Sequence, residues 1–214
     1  MTPPPPSLAG DRYLVSDPGM RLITRVQDAR AQGKDQIEVF CPMLESWEIA
    51  SLDDALRVLS VLVVEPTGRE VAPMHGNIYT WFRFRVVETL HQGRVERVSR
   101  GIPAAVRPSQ SDEIVVAFCG GAVQMNGITL LAHAPVPHFD RGRRYLLFVH
   151  MAHTQAAGPP NLLDGLFEVD EGALIPLNGA SAQDAIGRAL AKQFHSRLSE
   201  LRAYLRKQAA AGAR

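Results

Sequence analysis

The stretch Ile78–Val87, Ile-Tyr-Thr-Trp-Phe-Arg-Phe-Arg-Val-Val, constrains the fold more than any other part of the sequence. It reads as a strand, rich in aromatic and β-branched residues. Side chains alternate across a strand, so Ile78, Thr80, Phe82, Phe84 and Val86 share one face. That set belongs in a core. Tyr79, Trp81, Arg83, Arg85 and Val87 share the other face, where two aromatic rings keep company with two guanidinium groups. Such a face, if it is the outer one, is a contact surface in the making.

The segments around this strand are also β. Val61–Glu65 precedes it and is expected to end at Pro66-Thr-Gly68, while Ile78–Leu90 is broken by His91-Gln-Gly93. Ile114–Phe118 is short and apolar, with Gly120-Gly121 read as its closing turn. Val123 and Ile128–Ala132 flank Asn126-Gly127, a strong two-residue hairpin signal. Tyr145–His150 is almost continuously apolar, as a strand buried on both faces would be. Leu166–Val169 and Ala173–Leu177 form a further hairpin across Asp170-Glu171-Gly172. From Ile78 onward, seven short strands with turns and no crossover helices predict an antiparallel barrel or sandwich. Phe82, Phe84, Val116, Phe118, Leu130, Leu146 and Phe148 are expected to line one core.

Helical signals lie on either side. Met20–Arg30 has Leu22, Ile23, Val26 and Ala29 at helical spacing, with Gly33 as a stop, and Ile37–Phe40 reads as a short strand. Ser51 starts a short helix, Leu52–Leu59. At the other end Ser181 can cap one long helix in which Ile186, Leu190, Phe194, Leu198, Leu201 and Leu205 form a single apolar stripe that docks on the barrel. The domain plan that follows is a Pro-rich disordered arm over 1–10, an α/β extension over 11–50 and a β-barrel over 51–178. A C-terminal amphipathic helix over 179–208 and a disordered tail over 209–214 complete it.

Composition removes several functional classes. A chain of 214 residues, 46% hydrophobic and 21% charged, is that of a globular protein. A formal net charge of +1 argues against a dedicated polyanion binder and leaves room for a local basic patch. No apolar run reaches the ~18–20 residues that a bilayer span needs. Met-Thr-Pro-Pro-Pro-Pro-Ser shows no export signal, so the chain as written reads as cytoplasmic, with an exported protein as the alternative. Cys41 and Cys119 are too few for a disulfide framework; one bridge between them and two plain core thiols both stay open.

The order of these segments resembles a group of bacterial small β-barrel proteins. The residues that carry the likeness are Ser51-Leu-Asp-Asp-Ala-Leu-Arg, Val61-Leu-Val-Val-Glu and the strand from Ile78 to Leu90. They continue in Gly120-Gly121, Gly127, Pro137-His-Phe-Asp-Arg-Gly-Arg-Arg-Tyr-Leu-Leu-Phe-Val and Gly165-Leu-Phe-Glu-Val. Those barrels are similar to the OB-fold module of the tissue inhibitors of metalloproteinases and of the netrin domain. Over roughly Ser51–Leu177 the resemblance implies a mainly β fold, an OB-like antiparallel Greek-key barrel with helix packed on it. It implies no activity. The animal inhibitors chelate a protease zinc through an N-terminal cysteine, and here that position is Met-Thr-Pro, which speaks against protease inhibition.

No constellation points to catalysis. The chain lacks a Gly-x-Ser-x-Gly elbow, a Ser-x-x-Lys pair, a phosphate loop and a dinucleotide-binding glycine motif. Asp53 and Asp54 sit at a helix start, where the helix dipole accounts for them. His133, His138, His150 and His153 are close in sequence, but His150-x-x-His153 on a strand points to opposite faces and encloses no acidic base. No catalytic residue, metal or cofactor is therefore assigned. Arg94, Arg97, Arg100 and Arg107 dot the linker after the long strand, and Arg141, Arg143 and Arg144 cluster before Tyr145. OB-folds bind oligonucleotides or sugars near their second and third strands. The sequence thus reads as a non-enzymatic binding or scaffolding protein of unknown ligand, with another protein as one candidate partner. The alternative is single-stranded nucleic acid or glycan binding, with Tyr79 and Trp81 stacking while Arg83 and Arg85 neutralise phosphate. A hydrolase of unrecognised type is the third reading.

Overall fold

The computed structural model of the chain describes residues 17–39, 49–74, 76–93, 102–150, 162–177 and 184–212. Strand makes up 44% of them and helix 29%, so the fold is mainly β. The elements are α1 (Asp17–Ala31), β1 (Gln36–Glu38), α2 (Leu52–Val58), β2 (Ser60–Met74), β3 (Asn77–His91), β4 (Glu113–Cys119), β5 (Gly121–Met125) and β6 (Ile128–Ala132). They continue with β7 (Arg144–His150), β8 (Leu162–Asp170), β9 (Ala173–Pro176), α3 (Ala185–Phe194) and α4 (Leu198–Gly212). The strands form a three-stranded sheet, β1-β6-β5, and a six-stranded sheet, β4-β3-β2-β7-β8-β9. Neither closes into a barrel among the described residues. The order places β7 beside β2, with β5 and β6 of the smaller sheet between β4 and β7 in the chain.

Two compact units share the chain. The first comprises Met1–Met43, Glu70–Trp81 and Phe118–Val136, and the second Leu44–Arg69, Phe82–Ala117 and Pro137–Arg214.

In the first unit α1 buries Leu22, Val26 and Ala29 together with Val39, Ile78, Met125, Ile128, Leu130 and Ala132. The three-residue strand β1 runs parallel to β6, in the register Ile37↔Leu130. This departs from the all-antiparallel expectation. The hydrophobic pattern sets the register: Ile37, Leu130 and Val123 fall in one row facing the core cluster, and Gln36, Thr129 and Gln124 in the next. Asn126 (φ 51) and Gly127 (φ 82) are both left-handed, as a two-residue hairpin turn requires. Gly120-Gly121 is less a turn than the start of β5. Their φ values are 132 and 116, and a Cβ on Gly121 would lie 2.8 Å from Thr80 Oγ1. Glycine permits this approach without a steric clash.

In the second unit one face of the sheet is covered by α2, α3 and α4. Leu52, Ala55, Val61, Val63, Leu146, Phe148, Phe167, Leu174, Ile186, Leu190, Phe194, Leu201 and Leu205 form that core. The alternate residues Leu62, Val64, Tyr145, Leu147 and Val149 are buried as well. β2 and β7 are thus buried on both faces, which accounts for their continuous apolar runs. Phe82, Phe84 and Tyr145 surround Phe139 with ring centroids 4.7–4.9 Å apart, all edge-on. The single expected core is therefore divided: Leu130 belongs to one cluster and Leu146 and Phe148 to another.

Three local expectations change. Pro66 does not end β2, because the Thr67 hydroxyl donates to Arg83 O and keeps the strands joined. The long C-terminal helix is two helices. His195 (φ 47) and Ser196 (φ 53) break it, and the joining turn bonds β9 instead: Leu174 N–H donates to Ser196 O and Leu198 N–H to Gly172 O. Ser181 lies outside the described residues, and Asp184 caps α3 by accepting from Gly187 N–H at 2.6 Å. α4 continues to Gly212, past the expected end at 208. The turn also shields β9, since Ala173 pairs with Arg197 and Pro176 has no N–H to offer.

Phe148 is fully buried between β8 and the helices. Phe148→Ala should lower stability by about 3–5 kcal/mol, read from denaturant midpoints, while an unchanged midpoint would contradict this core.

Candidate functional site

Tyr79, Trp81, Arg83 and Arg85 lie on β3, but the strand passes from the first unit to the second between Trp81 and Phe82.

Tyr79 is 2% exposed and Trp81 0%. Their rings stand 6.0 Å apart at 59°. The Trp81 indole Nε1–H donates to Ala72 O at 3.4 Å. Burial pushes the Tyr79 phenol pKa up, against a hydrogen bond from Asn77. Thr80, between them, is also fully buried and donates to Gly120 O at 2.9 Å. The face that alternation marks as outer is interior here, on both sides of the strand, so neither ring offers a π-face to a base or sugar. Alternation separates two faces but cannot say that one of them meets water.

The two arginines are held by carboxylates. Arg83 Nε lies 3.4 Å from Glu113 Oε1 and donates to Thr67 Oγ1 at 3.1 Å. Glu113 Oε2 accepts from Ser109 N–H (2.7 Å), the Ser109 hydroxyl (2.8 Å) and Gln110 N–H (3.2 Å). Burial alone would raise the Glu113 pKa. The Ser109 bonds, the Arg83 charge and the Gln110 bond together outweigh it and hold the carboxyl below its ordinary value. Arg85 bonds Glu65, which Arg144 Nε also reaches at 3.1 Å. The bonds from Arg85 and Arg144 depress the Glu65 pKa despite its partial burial. Arg143 in turn contacts Glu168 at 2.8 Å and Asp170 at 3.5 Å. Bonds between exposed guanidinium and carboxylate groups are individually weak. Their collective effect here is to neutralise Arg83, Arg85, Arg143 and Arg144.

Other sequence candidates are placed as follows. Arg107 donates to Ile102 O, and Arg94, Arg97 and Arg100 lie outside the described residues. His133 is near Glu38, His138 near Asp140, and His91 contacts Leu56 O. His153 and the His150 side chain are outside the described residues, and among those described no group of three His, Cys, Asp or Glu could hold a metal. A cavity of about 350 Å³ in the second unit has Ser60, Glu88, Thr89 and Asp112 among its polar walls. Two of these are already engaged: Ser60 Oγ accepts from Gly93 N–H, and Glu88 is gripped by Arg202 at 2.9 and 2.6 Å.

Sequence reasoning missed Glu65 and Glu113, the groups that organise the arginines. Their partners are 20 and 79 residues away for Glu65, and no local spacing signals them. Cys119 is disulfide-bonded; Cys41, the other cysteine of the chain, lies outside the described residues. No helix among the described residues is long and apolar enough to cross a membrane. No protein-family model, curated protein or solved structure matches the chain.

The two depressed carboxyls set a sign for pH dependence. A folded pKa below the unfolded one stabilises the fold above the ordinary glutamate value, and this is lost as pH falls through the folded pKa. Thermal midpoints should therefore fall on acidification below about pH 4.3. Glu113→Gln should cost about 1.5–3 kcal/mol at neutral pH and flatten that fall, checked by melting across pH.

Proposed function

We propose that this chain is a non-enzymatic binding or scaffolding protein built on an OB-like Greek-key plan. The observation that carries the reading is how the Tyr79–Arg85 strand is used. Its aromatic rings are buried, and its guanidinium groups are matched by Glu113 and Glu65. Groups that could have met a ligand instead hold strands and loops together, which suits a rigid platform that presents its outer surface to a partner. The position of β7 beside β2, next to β3 and β4, supports the Greek-key plan and with it the likeness to the inhibitor and netrin modules.

The disulfide at Cys119 favours the exported alternative for localisation, since such bonds persist in oxidising compartments and are rare in a reducing cytosol. Thiol titration of the denatured protein should find no free thiol before reduction and two after it. Reduction should lower stability by about 2–4 kcal/mol.

Trp81 separates the scaffold from the nucleic-acid or glycan reading. Trp81→Phe keeps most of the packing and removes the bond to Ala72 O. On the scaffold reading it lowers the melting midpoint, with a cost of about 1 kcal/mol, and single-stranded oligonucleotide shows no salt-sensitive binding dependent on Trp81. An unchanged midpoint together with weakened oligonucleotide binding would install the alternative.

A further inference from the structure

The fold treats its cations in two ways. In the six-stranded sheet and the turn before β7, Arg83, Arg85, Arg143 and Arg144 each have a carboxylate partner. On the C-terminal helices most do not. Residues 184–212 carry six Lys and Arg against two Asp and Glu, in a chain whose net charge is only +1, so the remainder is net negative. Both acidic residues are engaged: Asp184 caps α3, and Glu200 pairs with His195. Arg202 is spent on Glu88. Lys192, Arg197, Arg206 and Lys207 are exposed and have no anionic partner among the described residues. They stand away from the core, which α3 and α4 meet through Ile186, Leu190, Phe194, Leu198, Leu201 and Leu205.

We propose that the solvent-facing side of α3 and α4 docks on an anionic lipid bilayer. Clustered Lys and Arg are drawn to the negative surface potential of such a membrane, with small contributions from each that add. Ala203, Ala209 and Ala210 are exposed on α4 beside these cations, small side chains that leave the charged ends to reach outward. Nucleic acid fits the same charges less well. Single strands are gripped by stacking as well as by charge. The aromatic residue of α4, Tyr204, is turned to the protein, with its hydroxyl donating to Asp53 and its ring 5.2 Å from Phe194. The disulfide at Cys119 also argues for a compartment where membrane surfaces, rather than nucleic acids, are the ambient polyanions. The inference names the partner for the binding reading above, and it is tested on residues that the Trp81 experiment does not touch.

The test is co-sedimentation of the full chain with phosphatidylcholine vesicles, with and without phosphatidylglycerol, at low and high salt. Wild type should pellet only with the anionic vesicles, and salt should release it by screening. K192E/R206E/K207E alters exposed side chains, so it should melt as wild type does while vesicle affinity falls about tenfold or more. If it melts lower, K192Q/R206Q/K207Q carries the same comparison. Equal pelleting with neutral vesicles, no pelleting with either, or a variant that binds as wild type does overturns the proposal. So does binding to single-stranded oligonucleotide that the variant loses while anionic vesicles bind neither protein, an outcome that would give the face to nucleic acid. Failure here with a lowered Trp81→Phe midpoint would remove the lipid and leave the scaffold standing.

Discussion

A strand buried on both faces needs a layer of cover on each side, and β2 and β7 impose that requirement on the second unit. One layer is helical and the other is the aromatic cluster around Phe139. The pairing Val61↔Phe148, Leu62↔Leu147, Val63↔Leu146 makes each step along β2 change layers. A one-residue slip would exchange every side chain between two differently shaped cores. The register is therefore fixed by shape on both sides, and the positions of α2, α3 and α4 follow from it.

Around this apolar frame the polar groups are used as ties. Glu113 gathers the 109–113 loop to β3, Glu65 joins β3 to β7, and Arg202 fastens α4 to β3 through Glu88. Each tie crosses between elements far apart in sequence. None is deeply buried on both sides, so the desolvation cost that makes interior ion pairs unfavourable is modest. The same carboxylates remove positive charge from the sheet. On the C-terminal helices, Lys192, Arg197, Arg206 and Lys207 keep their charge exposed.

Much of the secondary structure was legible in the residues, because it rests on local chemistry. Asn126-Gly127 carries its hairpin in two residues, Ser51 caps α2 by accepting from Asp54 N–H, and the apolar run at 145–149 is a strand buried on both faces. The misses were tertiary. The stripe from Ile186 to Leu205 fits one helix, but the bonds of Leu174 N–H to Ser196 O and of Leu198 N–H to Gly172 O reward a break there. β1 runs parallel to β6, which sets Ile37 against the core cluster and Val39 within it. The burial of Tyr79 and Trp81 was hidden in the same way. The alternation of Tyr79 and Trp81 with Phe82 and Phe84 was real, but exposure depends on what covers a face, and for Tyr79 and Trp81 sequence period carries no information on that.

The turn at His195 and Ser196 has a further meaning for how this protein meets copies of itself. β9 ends the larger sheet, and an open sheet end is a template on which another chain can lay a strand. Here the template is occupied: Ser196 accepts from the Leu174 N–H, Arg197 bridges Ala173, and Pro176 presents no donor. Two left-handed residues are the strain accepted for that stopper. The C-terminal segment thus closes the β9 end of the sheet to a further strand. Cover and closure therefore come from one segment: losing the chain from Ser196 onward would strip Leu198, Leu201 and Leu205 from the face of β2 and β7 at the same moment as it uncovered β9.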